Sequence, residues 1–157
     1  MSSELLEALA DGQLDLVLSV CYQPRPTGEP LGREELVWAA HRSFRPDPQG
    51  PLPLALFPDD CPYRRRALNA LARIDRPWTL AYTSQSPSGL RAAVNQGGVA
   101  TVADRRTLPE CWHVLGEAEG LPPLAPTQLE LHRSPSFQHP AGDDFVALLR
   151  GQIGPGP

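Results

Sequence analysis

The spacing of apolar residues switches several times between a helical period and the continuous or alternating runs of strands, and these switches lay out the elements. Leu5, Leu6 and Leu9 make one stripe, Ser2 or Ser3 stands where a cap belongs and Gly12 where a helix stops, so the chain is expected to open with a helix. Leu14 to Val20, LDLVLSV, is nearly all apolar, the pattern of a strand covered on both faces as in parallel sheets. Residues 21–32, CYQPRPTGEPLG, have the proline and glycine density of a loop, and Leu36 to Ala40 reads as another buried strand.

The stretch from Leu52 to Ala103 repeats one plan twice: a strand, a short polar turn, a helix. In the first copy Leu54 to Phe57 form the strand, and Tyr63, Ala67, Ala70, Leu71 and Ile74 recur at helical spacing. In the second, Trp78, Leu80 and Tyr82 alternate with Thr79, Ala81 and Thr83, and Ser86-Pro87 supplies a cap followed by proline at the first helical position. Leu90, Ala93 and Val94 face inward, Gly97-Gly98 ends the helix, and Val99 to Ala103 resumes as a strand. Residues 108–126 read mostly as loop with a short strand near His113. Gln128 to His132 is a strand, and Phe145, Val146, Leu148, Leu149 and Ile153 make a last amphipathic helix before GPGP, expected to be a disordered tail at 154–157. The expected architecture is α/β in two lobes: a discontinuous outer lobe from 1–45 and 124–153, and a central lobe from 46–123.

Composition narrows the function classes. With 14 basic and 18 acidic residues the net charge is −4, which argues against a surface that coats nucleic acid. Nineteen prolines accompany 41% hydrophobic residues, which reads as a globular chain with rigid connections. No apolar run approaches the roughly 18 residues of a membrane span. The opening residues lack the basic start and apolar centre of a secretory signal, so the expected compartment is the cytoplasm, with no membrane partner. Cys21, Cys61 and Cys111 lie 40 and 50 residues apart, without the close pairs of a zinc knuckle or disulfide framework. His41, His113, His132 and His139 show no metal spacing, and Ser86 in SQSPSG lacks the G-x-S-x-G elbow of a hydrolase. No nucleophile, base and oxyanion hole can be named together, so no enzyme, catalytic residue, metal or cofactor is expected.

Five pieces, SSELLEALADGQLDLVL, PLGREELVWAA, LPLALFPDDCPYRRRALNAL, WTLAYTSQSPSGLRAAVNQGGVATV and GLPPLAPTQLEL, follow one another in an order that resembles the C-terminal effector-binding domain of LysR-type transcriptional regulators. The resemblance implies a two-lobe fold like that of type II periplasmic binding proteins, its lobes joined by crossing strands and a small-molecule inducer between them. A carboxylate is one candidate for that effector. The family's helix-turn-helix and dimerising linker helix have no counterpart here, and its effector domain starts with a strand, a helix and a strand ahead of these residues, so the first lobe is expected to be incomplete. Gly97-Gly98-Val99 also departs from the family's usual Gly-Leu-Gly. The implied function is effector sensing for a regulator that is a homodimer or tetramer and meets DNA only through the helix-turn-helix. The alternatives are a stand-alone solute-binding protein of the same fold, or a non-functional or dominant-negative regulator fragment.

Helix starts carry unpaired N–H groups and favour anions. The resemblance places ligand contacts at Ser2 or Ser3, at Phe57 and Pro58, and at the turn Ser84, Gln85, Ser86; plain capping explains the serine positions equally well. Asp59 and Asp60 either cap the following helix or select an effector bearing a donor or positive charge. Among Arg64, Arg65 and Arg66 only one can point into a cleft, because successive helical positions turn by about 100°. Arg64, in the first turn beside Tyr63, is that choice, against a solvated surface for all three. Cys61 sits near a helix start that favours thiolate, yet free cysteine commonly behaves as a small buried apolar side chain.

Overall fold

The computed structural model describes residues 2–21, 27–137, 139 and 141–153, with only the backbone of Ser2 and Ser3. Along the chain run α1 (Ser2–Ala10), β1 (Leu16–Cys21), β2 (Glu29–Glu34), β3 (Leu36–His41), β4 (Leu52–Leu56), α2 (Pro62–Ala72), β5 (Trp78–Thr83), α3 (Pro87–Asn95), β6 (Ala100–Asp104), β7 (Trp112–Leu115), β8 (Thr127–Arg133) and α4 (Gly142–Ile153). The contacts divide them into a continuous unit, Glu35–Pro126, and a discontinuous unit made of the chain up to Glu34 and from Thr127 onward.

The continuous unit is built on a five-stranded sheet in the order β5-β4-β6-β3-β7. β4 runs parallel to β5 and β6, while β3 runs antiparallel to β6 and β7. β4 is apolar on both faces because both are covered. On one face Leu52, Leu54 and Leu56 pack with Ala67, Ala70 and Leu71 of α2 and with Trp38; on the other, Ala55 packs with Leu90 and Val94 of α3. Each leucine so buried contributes roughly 1.5–3 kcal/mol. The helix start at Ser86-Pro87 forms as its sequence dictates, with the Ser86 hydroxyl oxygen accepting from the Gly89 N–H at 3.4 Å. Gly97 ends the following turn at φ +77°.

The discontinuous unit contains a three-stranded antiparallel sheet in the order β1-β8-β2. Val146 of α4 closes one face against Leu31 and Leu131, with Leu16 and Ile153 at the margin. Gly12, at φ +71°, ends α1 as its position foretold.

Several expectations are corrected. The outer lobe, expected to reach residue 45, ends before β3, which hydrogen-bonds to β6 and β7 inside the continuous unit. β1 is not parallel, and its second face is covered only in part: it pairs antiparallel with β8, with Val17 and Ser19 buried on one face, and on the other Leu16 half-buried at the margin of the α4 core and Leu18 40% exposed. Within the supposed loop 21–32, β2 begins at Glu29 and pairs with β8 through a register shift between Pro30 and Gly32. That irregularity on an edge strand is how a Pro- and Gly-containing segment joins a sheet. Ile74 lies beyond α2 and is exposed, as are Phe145 and Leu148 on α4. The expected tail at 154–157 lies outside the described residues.

Candidate functional site

Two polar turns follow the carboxyl ends of neighbouring parallel strands, β4 and β5, and a backbone bond ties them: the Ser84 N–H donates to the Leu56 carbonyl at 3.3 Å. Of the residues expected to bind, Phe57, Pro58, Cys61 and Arg64 occupy the first turn, and Ser84, Gln85 and Ser86 the second. Ser2 opens α1 in the other unit, and the side chains of Ser2 and Ser3 lie outside the described residues.

The first turn is closed from within. The Cys61 N–H donates to the Pro58 carbonyl at 3.0 Å, and Arg64 reaches back so that Nη1 donates to the Phe57 carbonyl at 3.2 Å while Nη2 meets Asp59 at 2.5 Å. The Arg64 side chain is only 12% exposed. Its guanidinium therefore acts on the turn's own backbone rather than standing free for a ligand. Asp59 pairs with it instead of capping. Cys61 is the residue before α2, and its side chain makes no capping bond. Burial pushes its thiol above the ordinary value, outweighing the lowering by the backbone N–H groups of Arg64 and Tyr63. Tyr63, not singled out as a ligand contact, packs edge-to-face on Phe57, with ring centroids 6.3 Å apart at 75°.

The second turn spends its hydroxyl oxygens locally. The Ser84 oxygen accepts from the Ser86 N–H at 3.1 Å, and the Ser86 oxygen from Gly89. Neither hydroxyl donates to an acceptor among the described residues, so both hydrogens can be directed outward. A Cβ at position 89 would stand 2.7 Å from the Ser84 hydroxyl, so the glycine of SPSG is what lets that turn fold down on α3. That signal was present in the sequence.

A second polar group, unforeseen, lies on the β1–β8 sheet. Ser19 is paired with Glu130 in register, Val17 with His132, and all four side chains share one face. Glu130, 1% exposed, accepts through Oε2 from the Thr27 N–H at 3.2 Å and the Gly28 N–H at 3.0 Å; Oε1 has no partner among the described residues. Ser19 Oγ and Glu130 Oε2 lie 2.9 and 3.6 Å from the same ring nitrogen, His132 Nε2. In a hydrolytic triad the nucleophile and the carboxylate take opposite nitrogens of the imidazole. Here they share one, so the cluster ties β1, β8 and the start of β2 together without forming a charge-oriented nucleophile. Among the described residues no three metal-ligating side chains converge, and no helix is long and apolar enough to cross a membrane.

With this geometry in view, comparison with known proteins is specific. The family model described as the LysR substrate binding domain matches residues 1–154. The HTH-type transcriptional regulator PecT of Dickeya dadantii (strain 3937) is 30% identical over 138 residues, covering 88% of this chain and 44% of PecT. The HTH-type transcriptional regulator DgdR of Burkholderia cepacia is 32% identical over 120 residues, covering 76% of this chain and 41% of DgdR. The chain therefore spans less than half the length of these relatives. Among solved structures, the bromide ion-bound regulatory domain of HypT from Salmonella typhimurium superposes with a TM-score of 0.77 at 16% identity, covering 96% of this chain and 78% of that one. The likeness extends to the fold, the periplasmic-binding-protein-like arrangement of such regulatory domains. By the extent of the family match and the identity to both regulators, the chain belongs to the LysR substrate-binding domain family.

Proposed function

We propose that this domain senses a small-molecule effector for a LysR-type transcription regulator, with the turns after β4 and β5 forming part of the effector site. The observation that carries the reading is the pair of turns itself: two helix starts side by side, joined by the Ser84–Leu56 bond, with two serine hydroxyls able to donate. A carboxylate is the favoured ligand group, since helix starts and hydroxyl donors both favour negative charge. Each helix start contributes only about 0.3–1 kcal/mol when exposed, so they orient an anion rather than supply the affinity. Phe57, Pro58 and the neutral Cys61 thiol offer apolar contact; Ser84, Gln85 and Ser86 offer polar contact; Arg64 fixes the shape of the first turn.

Regulation follows when the effector binds one conformation better than another and a DNA-binding partner reads that difference. The names of PecT and DgdR support a helix-turn-helix domain, outside this chain, as the part that meets DNA. A homodimer or tetramer acting in the cytoplasm completes the reading. Thermal unfolding with a panel of aliphatic and aromatic carboxylates tests it. At least one should raise Tm in a concentration-dependent way, with the shift reduced in Ser84→Ala/Ser86→Ala. A panel without effect on folded protein, or a shift that survives the double substitution, counts against the site.

A further inference from the structure

A groove of about 260 Å³ runs beside the β7 edge of the continuous unit, lined by Val37, Trp38, Val114, Leu115, Leu121 and Leu124. The strand order sets two to three strands, roughly 10–15 Å, between it and the turn after β4, so it is a separate place from the proposed effector site. An apolar cavity of about 150 Å³ suffices for benzene. This groove therefore has room for one ring with a short substituent.

The charges at its rim choose the substituent. Glu35, Arg105 and Glu117 stand there. Arg105 Nε is already committed to Glu35 Oε1 at 2.7 Å. The Gly116 N–H donates to Glu119 Oε2 at 2.8 Å, and the Trp38 indole N–H donates to the Pro122 carbonyl at 2.9 Å. The Nη groups of Arg105 are not used in that contact, but its charge is offset by Glu35, while the exposed Glu117 carboxylate makes no ion pair among the described residues. Two carboxylates against one guanidinium repel an incoming anion and attract a cation.

We infer that this groove binds a small apolar primary amine, its ring or chain against Val114 and Leu124 and its ammonium at Glu117. Amide NMR of the full chain, titrated separately with benzylamine hydrochloride, sodium benzoate and benzyl alcohol, tests it. Benzylammonium should shift the amides of Val37, Val114, Leu115 and Leu124 more strongly than the other two. Glu117→Gln, an exposed substitution that leaves the core untouched, should weaken that binding about threefold, the worth of one exposed charge contact. Benzoate or benzyl alcohol binding these amides as well as benzylammonium overturns the assignment. So does an undiminished benzylammonium response in Glu117→Gln, or no response to any of the three.

Discussion

Arg64 donates to the carbonyl of Phe57, seven residues earlier, at 3.2 Å, and this bond closes the turn on which the first half of the proposed site depends. The same guanidinium meets Asp59, whose side chain is 91% exposed, so the ion pair is largely screened by solvent and contributes little. The backbone contact is the part that matters. Arg64→Ala should cost about 1.5–3 kcal/mol in urea unfolding, the range for a lost hydrogen bond to a charged donor. Asp59→Asn should cost under about 0.5 kcal/mol. Equal losses from the two substitutions would show that the ion pair, not the Phe57 contact, holds the turn.

Gly97 and Gly98 are adjacent and make opposite demands. Gly97 has φ +77°, and a Cβ there would lie 2.5 Å from the Ser43 hydroxyl; at Gly98 nothing stands within 4 Å. Gly97→Ala therefore meets both strain and contact and should destabilise by about 1–3 kcal/mol. Gly98→Ala should be neutral or stabilise by up to about 1 kcal/mol, since it mainly restricts the unfolded chain. Paired thermal denaturation curves decide this. Of the two departures from the family's Gly-Leu-Gly, Gly98 in place of leucine falls at a position that tolerates a side chain; the other is Val99 in place of glycine.

Cys61 makes the stability of the turn depend on alkaline pH. Its thiol is pushed up by burial, so the folded protein holds that proton to higher pH than the unfolded chain does. As pH rises past the unfolded value of about 8.5, the unfolded state loses the proton first and stability falls. Cys61→Ala should flatten the slope of unfolding free energy above about pH 8.5, measured by urea titration at each pH. Alkylation at neutral pH should also be slow at Cys61 relative to a free thiol in solution. An unchanged slope together with rapid alkylation would place the thiol in water.

How far the sequence reached differs between the two units for a physical reason. In the continuous unit each strand and helix is local, and Ser86-Pro87, Gly97 and the apolar period of α2 all agree with the final packing. Strand pairing is not local. LDLVLSV looks doubly buried because Leu16 and Leu18 stand on the face opposite Val17 and Ser19, and only the register with β8, more than 100 residues away, shows which is covered. β2 was hidden by Pro30 and Gly32, which a central strand would exclude and this edge strand accommodates. Along β5 the alternation of Trp78, Leu80 and Tyr82 marked a strand, but all six of its residues are exposed at the sheet edge. For the site, Ser84 and Ser86 could be found by their capping pattern. The engagement of Arg64 with Phe57, and the meeting of Ser19, Glu130 and His132, required the folded backbone.

Glu130 tests whether that last meeting holds the discontinuous unit. Its Oε2 accepts from the N–H groups of Thr27 and Gly28, which lead into β2, while its own strand lies between β1 and β2. Glu130→Ala removes the acceptor from both donors and should cost about 3 kcal/mol, the scale for breaking a buried charged contact. Glu130→Gln retains an amide oxygen in nearly the same volume and should cost less than half as much. The loss should be regional: hydrogen exchange ought to quicken in Leu16–Cys21 and Glu29–Glu34 before it does in Leu52–Leu56, whose protection rests on the separate core around Leu54. If Gln is as damaging as Ala, the carboxylate charge rather than its acceptor oxygen is what the cluster needs, and the Ser19–His132 pair is the place to look for its counterpart.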